Sequence, residues 1–106
     1  MKVLVYGAGA IGSVFGGFLA RMGHTVVLLG RPAHMEAIQK KGLKIEGIWG
    51  DYLIKTVETA ADSTEIKKRH EHDSFDVILV TVRAYDTENA SQDIGSLAGP
   101  KTLVVS

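Results

Sequence analysis

The stretch KVLVYGAGAIG at residues 2–12 decides the fold of this chain. Lys2–Tyr6 is a short apolar run bounded by glycine, which predicts a strand buried on both faces. Glycines at positions 7, 9 and 12 follow as a G-x-G-x-x-G, and a helical period of apolar residues begins at Ala10. The stretch therefore predicts a strand, a glycine-rich turn and a helix in immediate succession.

The predicted helix carries large apolar residues at i, i+3, i+4, i+7, i+8 and i+11, the spacing of one buried stripe. This stripe consists of Ile11, Val14, Phe15, Phe18, Leu19 and Met22. Gly23 follows the last of them, where a helix commonly ends. We therefore expect all six side chains to pack against a sheet.

The rest of the chain alternates between strand and helix patterns. Residues 25–29 (TVVLL) predict a second buried strand, and Pro32 begins a helix that Gly42 ends after two lysines. Residues 43–46 and 52–57 alternate in polarity, which predicts a hairpin with one solvated face, and residues 57–60 are a weaker strand candidate.

Further along, Asp62 and Glu65 have capping-box spacing and predict a helix to about residue 70. Residues 75–82 (FDVILVTV) predict a strand. Asp86 can cap the helix that follows, which Gly99 and Pro100 end. Residues 102–105 predict a last strand. This alternation predicts a Rossmann-type α/β fold over residues 1–106, with a doubly wound, mostly parallel sheet and a small β-hairpin insertion.

Composition excludes several classes of protein. At 106 residues the chain is long enough for about one domain, and its 12 Lys+Arg balance 12 Asp+Glu. We therefore expect neither a nucleic-acid partner nor a membrane partner, because both favour a basic excess. The uncharged residues 3–20 contain five glycines, which disfavours a membrane span. Without cysteine, a reducing, cytoplasmic location is favoured.

A metal site is not expected. His70 and His72 are two residues apart, a spacing that does not place both on one helix face, and a third ligand is not evident. The neighbouring basic residues favour a solvated segment.

The glycine turn is predicted to bind the pyrophosphate of a dinucleotide. Gly7 allows the tight turn, Gly9 lets the backbone approach the phosphates, and Gly12 lets helix and strand pack closely. The helix amides, with the positive end of the helix dipole, then face the phosphates. The alternative is a glycine-rich turn without a ligand. The predicted cofactor-binding residues of this turn are Gly7, Ala8, Gly9, Ala10, Ile11 and Gly12.

Two arginines predict the choice of cofactor. NAD enzymes usually place an acid after the second strand, but this chain has no acid between Gly12 and Glu36 and has Arg31 instead. An arginine there can bind a 2′-phosphate, which predicts NADP (NADPH) as the cofactor. Arg83 follows a central strand at its carboxyl end, where ligands bind in parallel sheets. The alternative for each is a solvated arginine.

Residues 1–31 (MKVLVYGAGAIGSVFGGFLARMGHTVVLLGR) and 76–90 (DVILVTVRAYDTENA) resemble the amino-terminal domain of ketopantoate reductases, also called 2-dehydropantoate 2-reductases. The resemblance implies an NADPH-dependent oxidoreductase that reduces 2-dehydropantoate to pantoate in pantothenate and coenzyme A biosynthesis. It also implies that Arg31 binds the 2′-phosphate and that Arg83 replaces a lysine of the family.

Family members are much longer and carry a helical carboxyl-terminal domain with the catalytic lysine and substrate-binding residues. The resemblance therefore implies that no catalytic residue lies in this chain, that a 2-oxo acid substrate binds through a domain this chain lacks, and that the chain alone is inactive. A stand-alone NADP(H) sensor and the Rossmann half of another 2-oxo or hydroxy-acid dehydrogenase are the alternatives. The oligomeric state stays open, with a homodimer among the alternatives.

Overall fold

A computed structural model describes residues 1–47, 50–70, 74–81 and 87–105 of the chain, with side chains described outside residues 87–91. Strands and helices alternate along most of it, as the sequence predicts. In chain order the elements are β1 (Lys2–Tyr6), α1 (Ala10–Arg21), β2 (Thr25–Leu29), α2 (Pro32–Lys41), β3 (Leu43–Ile45), β4 (Tyr52–Ile54), β5 (Val57–Ala60), α3 (Ser63–Arg69), β6 (Val77–Val80), α4 (Thr87–Leu97) and β7 (Leu103–Val105).

Five of the strands form one parallel sheet in the order β5-β2-β1-β6-β7. The chain builds outward from β1 to β2 and β5, then returns to the other side of β1 for β6 and β7. Tyr6 is in register with Leu29 of β2 and with Val80 of β6, so three strands end at the same level. This is the point where the strand order reverses, and ligands of open α/β sheets bind outside the strand ends there.

Apolar clusters cover both faces of this sheet, which confirms the doubly wound α/β prediction. On one face Val5 and Leu28 pack with Met35 of α2 and with the buried residues of β3 and β4. On the other face Leu4 packs with Ile66 of α3 and with Ile94 of α4. The alternation along each strand sends neighbouring side chains to opposite clusters, as the two-residue period of a strand requires.

The predicted apolar stripe of α1 is wrong in part, because small residues rather than large ones face the sheet. Ile11, Phe15 and Met22 are 71%, 59% and 72% exposed, while Val14, Phe18 and Leu19 are half-buried. The buried residues of the helix are Gly12, Ser13, Gly16, Gly17 and Ala20. Without large side chains between them, the helix backbone lies close to the sheet: a Cβ on Gly16 would lie 2.6 Å from Leu28 Cδ2.

The predicted hairpin forms between β3 and β4, which pair antiparallel as a separate two-stranded sheet. Its buried face packs on Gly17 of α1, where an added Cβ would lie 2.8 Å from both Ile45 Cδ1 and Leu43 Cδ2. Lys44 is on the solvated face, and its Nζ lies 2.6 Å from Glu46 Oε1. The Glu46 carboxylate raises the pKa of the Lys44 ammonium through this hydrogen bond and through its negative charge. The prediction of one wet face is therefore confirmed.

Helix ends follow the capping residues that the sequence offers. Gly42 ends α2 with a φ of +86°, a value that glycine adopts without a steric penalty. Asp62 caps α3 by accepting a hydrogen bond from the Glu65 amide at 2.9 Å, and the Glu65 carboxylate accepts one from the Ala61 amide at 2.9 Å. The expected cap of α4, Asp86, lies outside the described residues.

Candidate dinucleotide-binding site

The glycine turn connects β1 to α1 and is fixed to the end of β2. Gly7 has a φ of +86°, so this position favours glycine. The amides of Gly7 and Ala8 both donate to the Leu29 carbonyl, at 2.9 and 2.7 Å. The turn is therefore tied to the end of β2, next to the switch point that lies between β1 and β6.

The amino end of α1 carries backbone donors that the helix itself does not use. The helix begins after Gly9, which gives no side-chain cap, and the Ser13 amide donates to the Gly9 carbonyl at 3.0 Å. The amides of Ala10, Ile11 and Gly12 precede this bond and have no acceptor within the helix. The first turn also carries no acidic side chain. Such an end attracts an anion through its N–H groups and its dipole.

Gly9 and Gly12 of the motif differ in how much space surrounds them: Gly9 has open space on its Cβ side, and Gly12 is tightly packed. A Cβ on Gly9 would meet no atom within 4 Å, so the backbone there is open to a ligand. A Cβ on Gly12 would lie 2.7 Å from Thr81 Oγ1 and 3.0 Å from Val5 Cγ1, so this glycine lets α1 approach the sheet. The close packing expected at Gly12 is therefore present, and the binding of phosphates next to Gly9 stays a prediction.

Thr81 is a residue of this site that the sequence analysis missed. It directly follows β6, and its amide donates to the Tyr6 carbonyl at 2.9 Å. Its hydroxyl lies 2.8 Å from the Gly7 carbonyl and 3.2 Å from the Tyr6 carbonyl. The prediction of residues 75–82 as one strand gave no reason to single out its threonine, because the contact joins residues 74 positions apart.

Arg31 lies where the sequence analysis expected it, beside the end of β2. The preceding residue, Gly30, is close to the glycine turn: a Cβ added to it would lie 2.9 Å from the Ala8 carbonyl oxygen. Arg31 is the exposed N-cap residue of α2, and the ion pairs found within the described ranges do not involve it. Arg31 is therefore an exposed residue whose chain neighbour, Gly30, lies close to the turn.

Arg83 lies outside the described residues, as does His72. Of the two histidines considered for a metal, His70 lies 2.7 Å from a Glu58 carboxylate oxygen and 5.4 Å from the Phe75 ring, centroid to centroid. Within the described part of the chain, three or more His, Cys, Asp or Glu residues do not come together as a metal site. No helix among those same residues is long and apolar enough to span a bilayer.

Comparison with known proteins gives a consistent result. A sequence model of the family described as "Ketopantoate reductase PanE/ApbA" matches residues 3–106. A 2-dehydropantoate 2-reductase of Pyrococcus horikoshii is 42% identical over 90 residues, which cover 85% of this chain and 27% of that protein.

Solved structures agree with the sequence match. A PanE/ApbA family ketopantoate reductase from Ralstonia eutropha superposes with a TM-score of 0.86 at 36% identity, over 100% of this chain and 33% of that one. D-mandelate dehydrogenase, solved with NADH and anilino(oxo)acetate, gives a TM-score of 0.79 at 31% identity, over 98% of this chain and 32% of that one.

This chain spans about a third or less of the length of these relatives. The superposition with the Ralstonia eutropha enzyme covers the whole of this chain and so includes the sheet and the hairpin already described. The chain belongs to the ketopantoate reductase family.

Proposed function

We propose that this chain binds NADP(H) and forms the cofactor half of an oxidoreductase active site. One observation carries the proposal: α1 begins with three amides that have no acceptor within the helix, next to a Gly9 whose Cβ position is open, and Arg31 follows the neighbouring strand. Amides at a helix amino end are suited to a pyrophosphate, and a guanidinium is suited to a phosphate monoester.

Each residue has a distinct part in this proposal. The Ala10, Ile11 and Gly12 amides donate to the pyrophosphate, and Gly9 leaves the space that the phosphates need. Arg31 binds the adenosine 2′-phosphate. Arg83, which comes two residues after Thr81 in the sequence, is assigned to the same cofactor site as a second cation. When bound, NADPH supplies the hydride that reduces a carbonyl carbon.

The substrate that we propose is 2-dehydropantoate, the 2-oxo acid after which the Pyrococcus horikoshii relative is named. We assign the catalytic and substrate-binding groups to residues outside this chain, which spans 27% of that relative. Residues 1–106 then act as an NADP-binding Rossmann domain that orients the cofactor, and substrate turnover requires the rest of the active site.

A second candidate is an NADH-dependent reductase of another 2-oxo acid. It is favoured by the similarity to D-mandelate dehydrogenase, whose structure contains NADH. The two candidates differ in what the site needs beside β2. An NADH site usually has an acid that binds the 2′-hydroxyl, and this chain has none between Gly12 and Glu36. An NADPH site needs a cation for the 2′-phosphate, and Arg31 supplies one. Both features favour the first candidate.

Isothermal titration of the chain with NADPH and with NADH tests the proposal. One charge-assisted contact from Arg31 contributes about 1.5–3 kcal/mol, so NADPH should bind roughly 10- to 150-fold more tightly than NADH. Arg31→Ala should remove most of that preference by weakening NADPH alone. Arg21→Ala is the matched control, because Arg21 ends the 12-residue α1 at the end away from the turn, roughly 17 Å along the helix.

The three possible results have different meanings. A preference for NADPH that Arg31→Ala removes and Arg21→Ala preserves supports the proposal. Equal binding of both nucleotides by the unmodified chain would favour the NADH candidate. Binding of neither nucleotide would show that the glycine turn is only a structural connection.

A further inference from the structure

Thr81 contacts the glycine turn at both of its ends. Its hydroxyl lies 2.8 Å from the Gly7 carbonyl, at the start of the turn. The same oxygen would lie 2.7 Å from a Cβ on Gly12, in the first turn of α1. One side chain, directly after β6, therefore lies against the turn where it leaves β1 and close to the first turn of the helix that follows.

The peptide group between Gly7 and Ala8 is held from two different strands. Its N–H, on Ala8, donates to Leu29 of β2 at 2.7 Å. Its carbonyl, on Gly7, accepts hydrogen bonds from the Thr81 hydroxyl at 2.8 Å and from the Gly9 amide at 2.8 Å. The bond from Thr81 is the side-chain member of this set, so it is the one that a substitution can remove while the two backbone bonds keep their donors and acceptors.

We infer that Thr81 is a positioning residue for nucleotide binding, an inference that rests on the proposed function. It fixes the peptide that precedes the free amides of Ala10, Ile11 and Gly12, and so holds these donors in one arrangement before a phosphate arrives. A pre-ordered site binds more tightly because less conformational freedom is lost on binding. Thr81 itself is assigned no contact with the cofactor.

Thr81→Val tests this inference, because valine keeps the shape of threonine and removes the hydroxyl. A methyl group then faces the Gly7 carbonyl, and the turn has to shift. We expect the Kd for NADPH to rise about three- to tenfold, the range of one net hydrogen bond. Thr81→Ser keeps the hydroxyl and should bring the Kd back to within about twofold of the original.

Thr102→Val is the matched control for a purely structural effect. The Thr102 hydroxyl donates to the Phe75 carbonyl at 2.6 Å and accepts from the Gly99 amide at 2.8 Å, next to the start of β6 and so at the other end of the sheet. The same substitution there should lower the melting temperature and leave the Kd for NADPH unchanged. All titrations are made well below the melting temperature of each variant, which separates affinity from stability.

A second ligand separates the two parts of the site. Adenosine 2′-monophosphate carries the phosphate assigned to Arg31 and lacks the pyrophosphate. Thr81→Val should therefore leave its binding, followed by chemical-shift titration, unchanged, and Arg31→Ala should weaken it. If Thr81→Val bound NADPH as tightly as the unmodified chain does, the positioning role alone would be overturned. Failure of the unmodified chain to bind NADPH at all would overturn the proposed function as well.

Discussion

Replacing Gly16 with alanine probes how closely α1 lies on the sheet. The added Cβ would lie 2.6 Å from Leu28 Cδ2 and 3.2 Å from Val5 Cγ2. Ordinary van der Waals contact between carbon atoms begins near about 3.5 Å, so helix and sheet have to separate by close to an ångström or Leu28 has to move. Leu28 and Val5 are both fully buried, and the surrounding core leaves them little space.

Two opposing effects set the size of the change. Alanine is favoured over glycine inside a helix by about 1 kcal/mol, which stabilises the variant. Overpacking a dense core costs about 1–3 kcal/mol. We therefore expect Gly16→Ala to lower the free energy of unfolding by about 1 kcal/mol, which corresponds to a melting temperature about 4–8 °C lower for a domain of this size.

Gly95→Ala provides the comparison without the clash. Gly95 lies within α4, and a Cβ there would meet no atom within 4 Å. The same substitution should raise the free energy of unfolding by about 0.5–1 kcal/mol. Urea denaturation followed by circular dichroism measures both variants. If Gly16→Ala were as stabilised as Gly95→Ala, the close approach of α1 to the sheet would be refuted.

Two further predictions concern a helix cap and the exposed residues of α1. Asp62→Ala should lower the free energy of unfolding by about 1 kcal/mol because α3 loses its side-chain cap. Asp62→Asn keeps a capping oxygen and should preserve most of the stability. A thermal melt in which Asp62→Ala unfolds at the same temperature as the original chain would contradict this. Phe15→Ala should lower the free energy of unfolding by less than about 1 kcal/mol because Phe15 is exposed, whereas Leu28→Ala should lower it by about 2–5 kcal/mol. The same urea assay measures both variants, and equal losses would place Phe15 in the core.

Local patterns were enough to predict most elements of this fold. The bounds of β1 and β2 were predicted to the residue, since each is a short apolar run between polar or glycine residues. Pro32, Gly42 and Asp62 marked helix ends because their effects act on their own backbone or on residues within one helical turn. The parallel sheet followed from the alternation of strands and helices.

The buried face of α1 could not be predicted in the same way. The helical period and the hydropathy of Ile11 and Phe15 predict that both side chains pack on a sheet, yet both are exposed. A helix can approach a sheet closely only through small residues, and the geometry of that approach depends on the partner surface. Gly12 was assigned to close packing from the motif, but the close approach of Gly16 to Leu28 of β2 appeared only in the folded structure.

The sequence by itself determined the strand–turn–helix unit, the glycine at each special backbone position and the charge of Arg31, because these properties belong to neighbouring residues. Tertiary structure alone decided that Leu29 of β2 and Thr81 after β6 both bond the Gly7–Ala8 peptide, and that Gly30 lies close to the turn. Such contacts join residues far apart in the chain. Their existence depends on strand order and register, which bring the ends of β1, β2 and β6 to one level.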